Sequence, residues 1–450
     1  MVVDGRGGAV VVVGALVVVA ASPDPHDARR AAIVMSTAIR CMDRMVRPGA
    51  YARAMDLLEH ARSIHADTVA LRRDLHRRPE VGNHLPLTRE RVLRALDGLG
   101  LDLHLHETTS GVVAVLDPGA DGPGIVLRGD MDALPMPEDT GLGFASEHAG
   151  VMHACGHDLH TAMLASAARV LSERRDELGG PVVFMFQPGE EGYHGARYML
   201  EEGLLSATDP APTGAFAIHV SSWFASGTIS HRPGPQMASA DTIHVTVHGR
   251  GGHASAPFNA ADPIPAAAEI VLATETALTR SLNPFDPAVV TFAKIVGGTT
   301  DNVIPADVEM MGTMRTFSAE NRERVQDLIR RVATNVAAAH GIEAEVVFDA
   351  GYPVTVNDEG FTAWVDGVTA DILGAEVLTP LEAPIMGAED WSYVLERVPG
   401  TMTFLGACPP DLVPGEAPGN HSNLVTFDED AMAAGVALYA GVALAHTNGR

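Results

Sequence analysis

At 450 residues the chain is about three times the common single-domain length, which calls for several domains or one large domain carrying an insertion. Apolar residues make up 46 % and charged residues 20 %, a globular balance that leaves little room for long disordered tails. Acidic residues outnumber basic ones by 57 to 31, and the formal charge of −26 argues against nucleic acid and anionic membranes as partners.

Residues 9–21 form an apolar, valine-rich run of signal-peptide length, too short for a comfortable membrane span. Its flank is weak, because Asp4 offsets Arg6, the one preceding positive charge. Cys41, Cys155 and Cys408 are too few and too scattered for a disulfide framework and point to a reducing compartment, the cytoplasm. A start at Met35, Met42, Met45 or Met55 is a plainer account of the run than an export signal within residues 1–25, so residues 1–54 stand apart as an N-terminal extension.

Residues 55–78 place apolar side chains at helical spacing and stop before Pro79, which predicts an amphipathic helix. Short apolar runs at 111–116, 124–128, 182–186 and 215–220 predict strands, with a helix over 161–178 among them. That alternation implies an α/β sheet with helices on its faces. The pattern changes between 237 and 350, where a strand (242–247), a helix (263–278), two strands (289–296, 308–317) and a helix (320–340) follow one another. These five, with a last strand closing the segment, make the β-α-β-β-α-β order of a ferredoxin-like sandwich, which can stand as an inserted domain. A helix at 359–373, a strand at 401–406 and a helix at 428–445 then resume the α/β pattern. The expected organisation is one α/β domain built from 55–236 and 351–450, interrupted by 237–350.

Four stretches carry chemistry. Met152–Asp158, MHACGHD, sets the Cys155 thiol and the His157 imidazole two positions apart in a glycine-containing loop before a helix. Thiolate and imidazole are the preferred donors for a borderline-soft divalent ion, although such a pair can equally be a buried cysteine beside a hydrogen-bonded histidine. Phe184–Gly192, FMFQPGEEG, ends a strand in a Pro-Gly turn followed by Glu190 and Glu191. One carboxylate can hold a metal while its neighbour acts as general base; two solvated glutamates are the plainer reading. AFAIHV ends a strand at His219, and NHSN places His421 in a polar loop, each unremarkable alone. Asp130 and Asp132, in RGDMDALP, follow another strand at what reads as a sheet edge, where one can orient a ligand histidine or both can cap a turn.

With these in place the chain resembles the peptidase family M20 amidohydrolases, in particular the group of hippurate hydrolases, N-acyl-amino-acid amidohydrolases and auxin-conjugate hydrolases. RGDMDALP, MHACGHDLHTAM, FQPGEEG, GRGGHAS, NVIPADVEMMGTMRTF, GAEDWSYVL and NHSN occur in that group's order and spacing from Met55 onward. The resemblance implies a mixed-sheet α/β hydrolase domain for two metals, with an inserted ferredoxin-like α+β lid and dimerisation domain. It implies Cys155, His157, Glu191, His219 and His421 as ligands of two divalent ions, zinc first, with manganese, nickel or cobalt as alternatives. It implies Glu190 as the base that activates a metal-bridging water, and His253 as donor to the developing oxyanion. Asn302 and Arg315 match positions that receive the substrate carboxylate; as ordinary residues they serve a turn and a surface ion pair.

The implied reaction is hydrolysis of the amide bond of a small N-acyl amino acid by a homodimer. The alternative is a dipeptidase or carboxypeptidase of the same superfamily, which usually carries aspartate where Cys155 stands. Phe258 follows Pro257 where relatives often carry a polar residue, which leaves the acyl preference open. A zinc base deaminase is set aside because the H-x-E and P-C-x-x-C pair is absent. A non-catalytic protein that kept the fold is disfavoured because Glu190 and all five donors are present.

Overall fold

The computed structural model describes residues 48–450, with side chains from Asp56, together with three short backbone strands near the N-terminus. The chain divides into two units, Met1–Leu57 and Leu58–Arg450. In the first, Val2–Val3, Ala9–Val13 and Leu16–Val19 pair antiparallel in that order. The export or upstream-start question for residues 1–54 otherwise lies outside the described residues.

The helix expected over 55–78 is two helices, Pro48–Ser63 and His65–Arg77, parted at Ile64 by a non-helical backbone (φ −102°, ψ 4°). Apolar periodicity continues across Ile64, so spacing alone did not reveal the break. Among the described residues no helix is long and apolar enough to cross a membrane.

The second unit is built on a mixed seven-stranded sheet. Its order is Asp102–Leu105, Val112–Leu116, Val182–Gln187, Ile125–Asp130, Gly214–Ala225, Gly400–Cys408 and Ile229–Ser230. The four strands from Val182–Gln187 to Gly400–Cys408 run parallel, and the remaining pairings are antiparallel. Val182–Gln187 and Ile125–Asp130 are buried at every residue, which is why each opens on a continuous apolar run, Val182–Phe186 and Ile125–Leu127, before its polar carboxyl end. On one face Val126, Val183, Met185, Met402 and Phe404 pack with Met199, Trp391 and Val394. On the other, Tyr439 of the helix Met432–Thr447 donates its hydroxyl to the Arg128 carbonyl (2.6 Å) and accepts the Ile218 amide (3.1 Å). The helix His157–Glu173 packs against that terminal helix. Asp130 ends the middle strand of the seven, so the expected sheet edge is corrected to the carboxyl end of a central strand. Strand order depends on long-range pairing and was not visible locally.

Within the segment 237–350 a separate antiparallel sheet has the order Ala288–Val296, Asp307–Thr316, Asp241–His248, Glu343–Ala350. Strict alternation along Asp241–His248 turns Ile243, Val245 and Val247 onto Ile270, Val325 and Ile329 of the two covering helices, Pro263–Ser281 and Ala319–Ala339. The β-α-β-β-α-β order is as expected, with its own core.

A buried charge network braces the helix that begins at His157. Arg72 Nε donates to Asp158 Oδ2 at 2.7 Å and Nη1 to Glu429 Oε1 at 3.0 Å, while His76 bridges Asp158 (2.8 Å) and Glu138 (3.2 Å). Removing one partner strands a buried charge. Arg72→Ala is therefore expected to cost about 3–5 kcal/mol of unfolding free energy, read from denaturant melts; a loss under about 1 kcal/mol would show that Asp158 is satisfied without it.

Candidate metal centre

The structure gathers all five expected donors and Glu190 at the carboxyl ends of the parallel strands. Cys155 and His157 flank Gly156, whose φ of +91° favours glycine and whose added Cβ would lie 2.3 Å from Val220 Cγ2. The step between thiol and imidazole is therefore tight, and His157 opens its helix one turn earlier than the 161 start expected from spacing. Glu190 and Glu191 follow the strand Val182–Gln187, and His219 lies in Gly214–Ala225. His421 occupies a loop at φ +70°, and its amide donates to the Ala154 carbonyl (2.9 Å). Asn420 Nδ2 holds the same loop to the Cys155 (2.9 Å) and Val220 (3.0 Å) carbonyls.

Cys155 Sγ is 3.5 Å from His219 Nε2, and Glu191 Oε1 is 3.1 Å from His421 Nε2 and 4.0 Å from His157 Nε2. The donor atoms of Cys155, His157 and His219 lie within 4.8 Å of one another, as do those of Cys155, Glu191 and His421. The thiol is common to both triads, which is the arrangement five donors need to serve two ions. Hydrogen bonding selects the ring nitrogens. His157 Nδ1 donates to the Asp132 carbonyl (2.9 Å) and His219 Nδ1 to the Val220 carbonyl (2.8 Å), so each presents Nε2 to the centre. His157 Nε2 has no hydrogen-bond partner and faces Asp130 Oδ2 at 3.2 Å, an orientation that calls for a proton or a cation. His160, although close, is used up: Nε2 accepts the Val220 amide (2.7 Å) and Nδ1 donates to Asp130 Oδ1 (2.6 Å). It braces the centre and has no lone pair left for it.

Electrostatics favour a thiolate at Cys155 and a positive charge beside it, held by an imidazolium or by a cation that neutral imidazoles ligate. Burial and Glu191 oppose ionisation of the Cys155 thiol, yet His219 and His157 bring it down to about 6. His421 is raised to about 10 by hydrogen bonds to Cys155 and Glu191. Glu190 differs: burial, then Glu389, Glu191 and Asp390, lifts its carboxyl well above the usual range. Arg128, fully buried, is the nearby counter-charge, at 2.8 Å from Asp130 Oδ2 and 2.7 Å from Glu389 Oε1. So many acidic groups around one guanidinium suit bound cations.

Sequence reasoning passed over Glu389, which lies within 4.8 Å of Glu190 with Asp390; the only available signal was that GAEDWSYVL contains it. His253, Asn302 and Arg315 are not brought to the centre here. His253 is exposed and its Nδ1 accepts from Ser255 Oγ (2.9 Å). Asn302 is its neighbour, through a bond from the Ala254 amide (3.0 Å), and Arg315 is half-buried in the strand Asp307–Thr316.

Residues 126–445 match the family described as Peptidase family M20/M25/M40. The chain belongs to this family. An N-acetyl-L-cysteine deacetylase of Bacillus subtilis is 38 % identical over 344 residues, 76 % of this chain and 81 % of that protein. A thermostable carboxypeptidase of Saccharolobus solfataricus is 36 % identical over 406 residues, 88 % of this chain and all of that one. The crystal structure of a dinuclear metal-binding M20 peptidase from Bacillus subtilis superposes with a TM-score of 0.73 at 34 % identity, covering 85 % of this chain and 98 % of the other. Membership in the M20 family accords with the two overlapping donor triads: the residues present fit two divalent ions.

Proposed function

We propose that this chain is a metal-dependent amidohydrolase that cleaves the amide bond of a small N-acyl amino acid. The observation that carries the reading is a single thiol shared by two donor triads beside a buried glutamate whose neighbours raise its affinity for a proton. Cys155, His157, Glu191, His219 and His421 are assigned as ligands, and Glu190 as general base. When bound, the two ions supply Lewis acidity that polarises the amide carbonyl and acidifies water. Glu190 takes a proton from the attacking water at its carboxylate and returns it to the leaving nitrogen. Thiolate and imidazole donors favour zinc over manganese, nickel and cobalt, and metal analysis decides among them.

His253 is assigned to the developing oxyanion, and Asn302 and Arg315 to the substrate carboxylate. Gly252–His253 pairs with Val303–Ile304, so one exposed edge presents His253 and Asn302 together. Movement of the insert as a lid, or pairing of two copies through it, delivers that edge. The domain boundaries proposed are 55–236 and 351–450 for the hydrolase part and 237–350 for the insert, in a cytoplasmic homodimer.

The similarity to a carboxypeptidase supports a second reading, the same chemistry on a peptide bond. A panel of N-acetyl and N-benzoyl amino acids against dipeptides, with metal-loaded enzyme, separates the two. Acyl substrates are expected to show kcat/KM at least about tenfold higher; the reverse order selects the peptidase.

A further inference from the structure

The Glu190 turn is held from two sides, and the two anchors belong to different parts of the fold. The Gly192 amide donates to the Glu190 carbonyl (2.7 Å), closing a three-residue turn with Glu191 at its apex. On one side Asp132, two residues beyond the central strand, accepts the Glu190 amide on Oδ1 (2.9 Å) and the Glu191 amide on Oδ2 (3.0 Å). On the other the Tyr352 hydroxyl donates to the Glu190 carbonyl and accepts the Gly192 amide (2.7 Å).

Tyr352 lies where the chain leaves the insert, two residues beyond the strand Glu343–Ala350. Its carbonyl accepts the amide of Ala240, where the chain enters the insert (3.0 Å). The two crossings touch at Gly351, where a Cβ would come within 2.0 Å of the Ala240 carbonyl oxygen. The tyrosine ring is 7 % exposed and is packed edge-on by His194 (centroids 5.0 Å, 89°) and Tyr393 (6.1 Å, 79°). A displacement of the crossing is therefore transmitted through a stiff ring to the backbone of Glu190.

We propose that Tyr352 is a positioning residue through which the crossing between the insert and the hydrolase sheet sets the aim of the Glu190 carboxylate. This rests on Glu190 being the base. A base must lie within about 2.6–3.2 Å of the proton it takes, and a misplacement of about 1 Å costs on the order of a hundredfold in rate. Asp132 fixes the amide side of the turn irrespective of the insert; Tyr352 makes the carbonyl side follow it.

The test is Tyr352→Phe in the full, metal-loaded chain. The expected result is a kcat about tenfold or more lower, KM within about twofold, two ions still bound per chain and a cooperative melt. In a Glu190→Asp background, where the carboxylate is already displaced, adding Tyr352→Phe is expected to lower kcat by less than about twofold. Tyr393→Phe removes a neighbouring hydroxyl that bonds His194 (3.0 Å) and, at 3.4 Å, the Gly351 carbonyl, but makes no bond to the turn itself, and is expected to lower kcat by less than about twofold. An unchanged kcat in Tyr352→Phe overturns the proposal. So do fully additive losses in the double variant, or loss of the cooperative melt, because the hydroxyl then acts on the fold and not through Glu190. Failure of the base assignment is separate: Glu190→Asp and Glu190→Gln would then both turn over like wild type.

Discussion

Glu190→Gln is expected to lower kcat for an N-acyl amino acid by about a thousandfold, within the usual range for loss of a general base, with KM little changed and both ions retained. Glutamine keeps the volume and one acceptor oxygen but cannot accept and pass on a proton. The stability effect has the opposite sign. The folded state raises the Glu190 carboxyl well above its ordinary value, so the protonated form is the one the fold favours. Any stability that preference provides is present below about pH 4.5 and is lost as pH rises through the folded value. At neutral pH the ionised side chain instead repels Glu389, Glu191 and Asp390, and the neutral amide removes that repulsion. Metal-free Glu190→Gln is therefore expected to melt at or above the wild-type temperature at pH 7. Wild-type turnover in the variant would end the assignment of Glu190, and a lower melting temperature would contradict the crowding of carboxylates around it.

Cys155→Ser is expected to abolish activity by a different route, through both ions at once. The thiol belongs to both donor triads, and its ionisation near pH 6 makes it an anionic donor under ordinary conditions. A serine hydroxyl there stays neutral. Dialysed against a chelator buffer that leaves the wild type with two ions, the variant is expected to retain less than one per chain. His421→Ala, which touches one triad only, is expected to retain about one. Stripping the wild type has the same electrostatic consequence on a larger scale. Asp130, Glu190, Glu389 and Asp390 are all buried around one guanidinium, Arg128, so loss of native-specific cations is expected to lower the melting temperature. At a thousandfold excess over Kd such binding contributes about 4 kcal/mol. Two ions held at wild-type affinity by Cys155→Ser would rule out a shared thiolate.

What the sequence by itself determined was the family's motifs, with the candidate donors they contain, and most of the order of the elements, the helix Pro86–Leu96 and the strand Asp102–Leu105 excepted. Cys155, Glu190, Glu191 and His219 follow or end apolar stretches, and helical or alternating periodicity reports locally which side chains face a core; the helix Glu359–Leu373 and the alternating strand Asp241–His248 were legible for that reason. Only the tertiary structure decided which charges meet. Arg128 and Glu389 are 261 residues apart along the chain, and their contact exists because Ile125–Asp130 is a middle strand, a fact set by long-range pairing. The same holds for the sharing of Cys155 between two triads, for the removal of His160 from the donor set by the Val220 amide, and for the hold of Tyr352 on the Glu190 turn. Each is a hydrogen bond or a close approach between segments distant in sequence, and residue spacing carries no information about such distances.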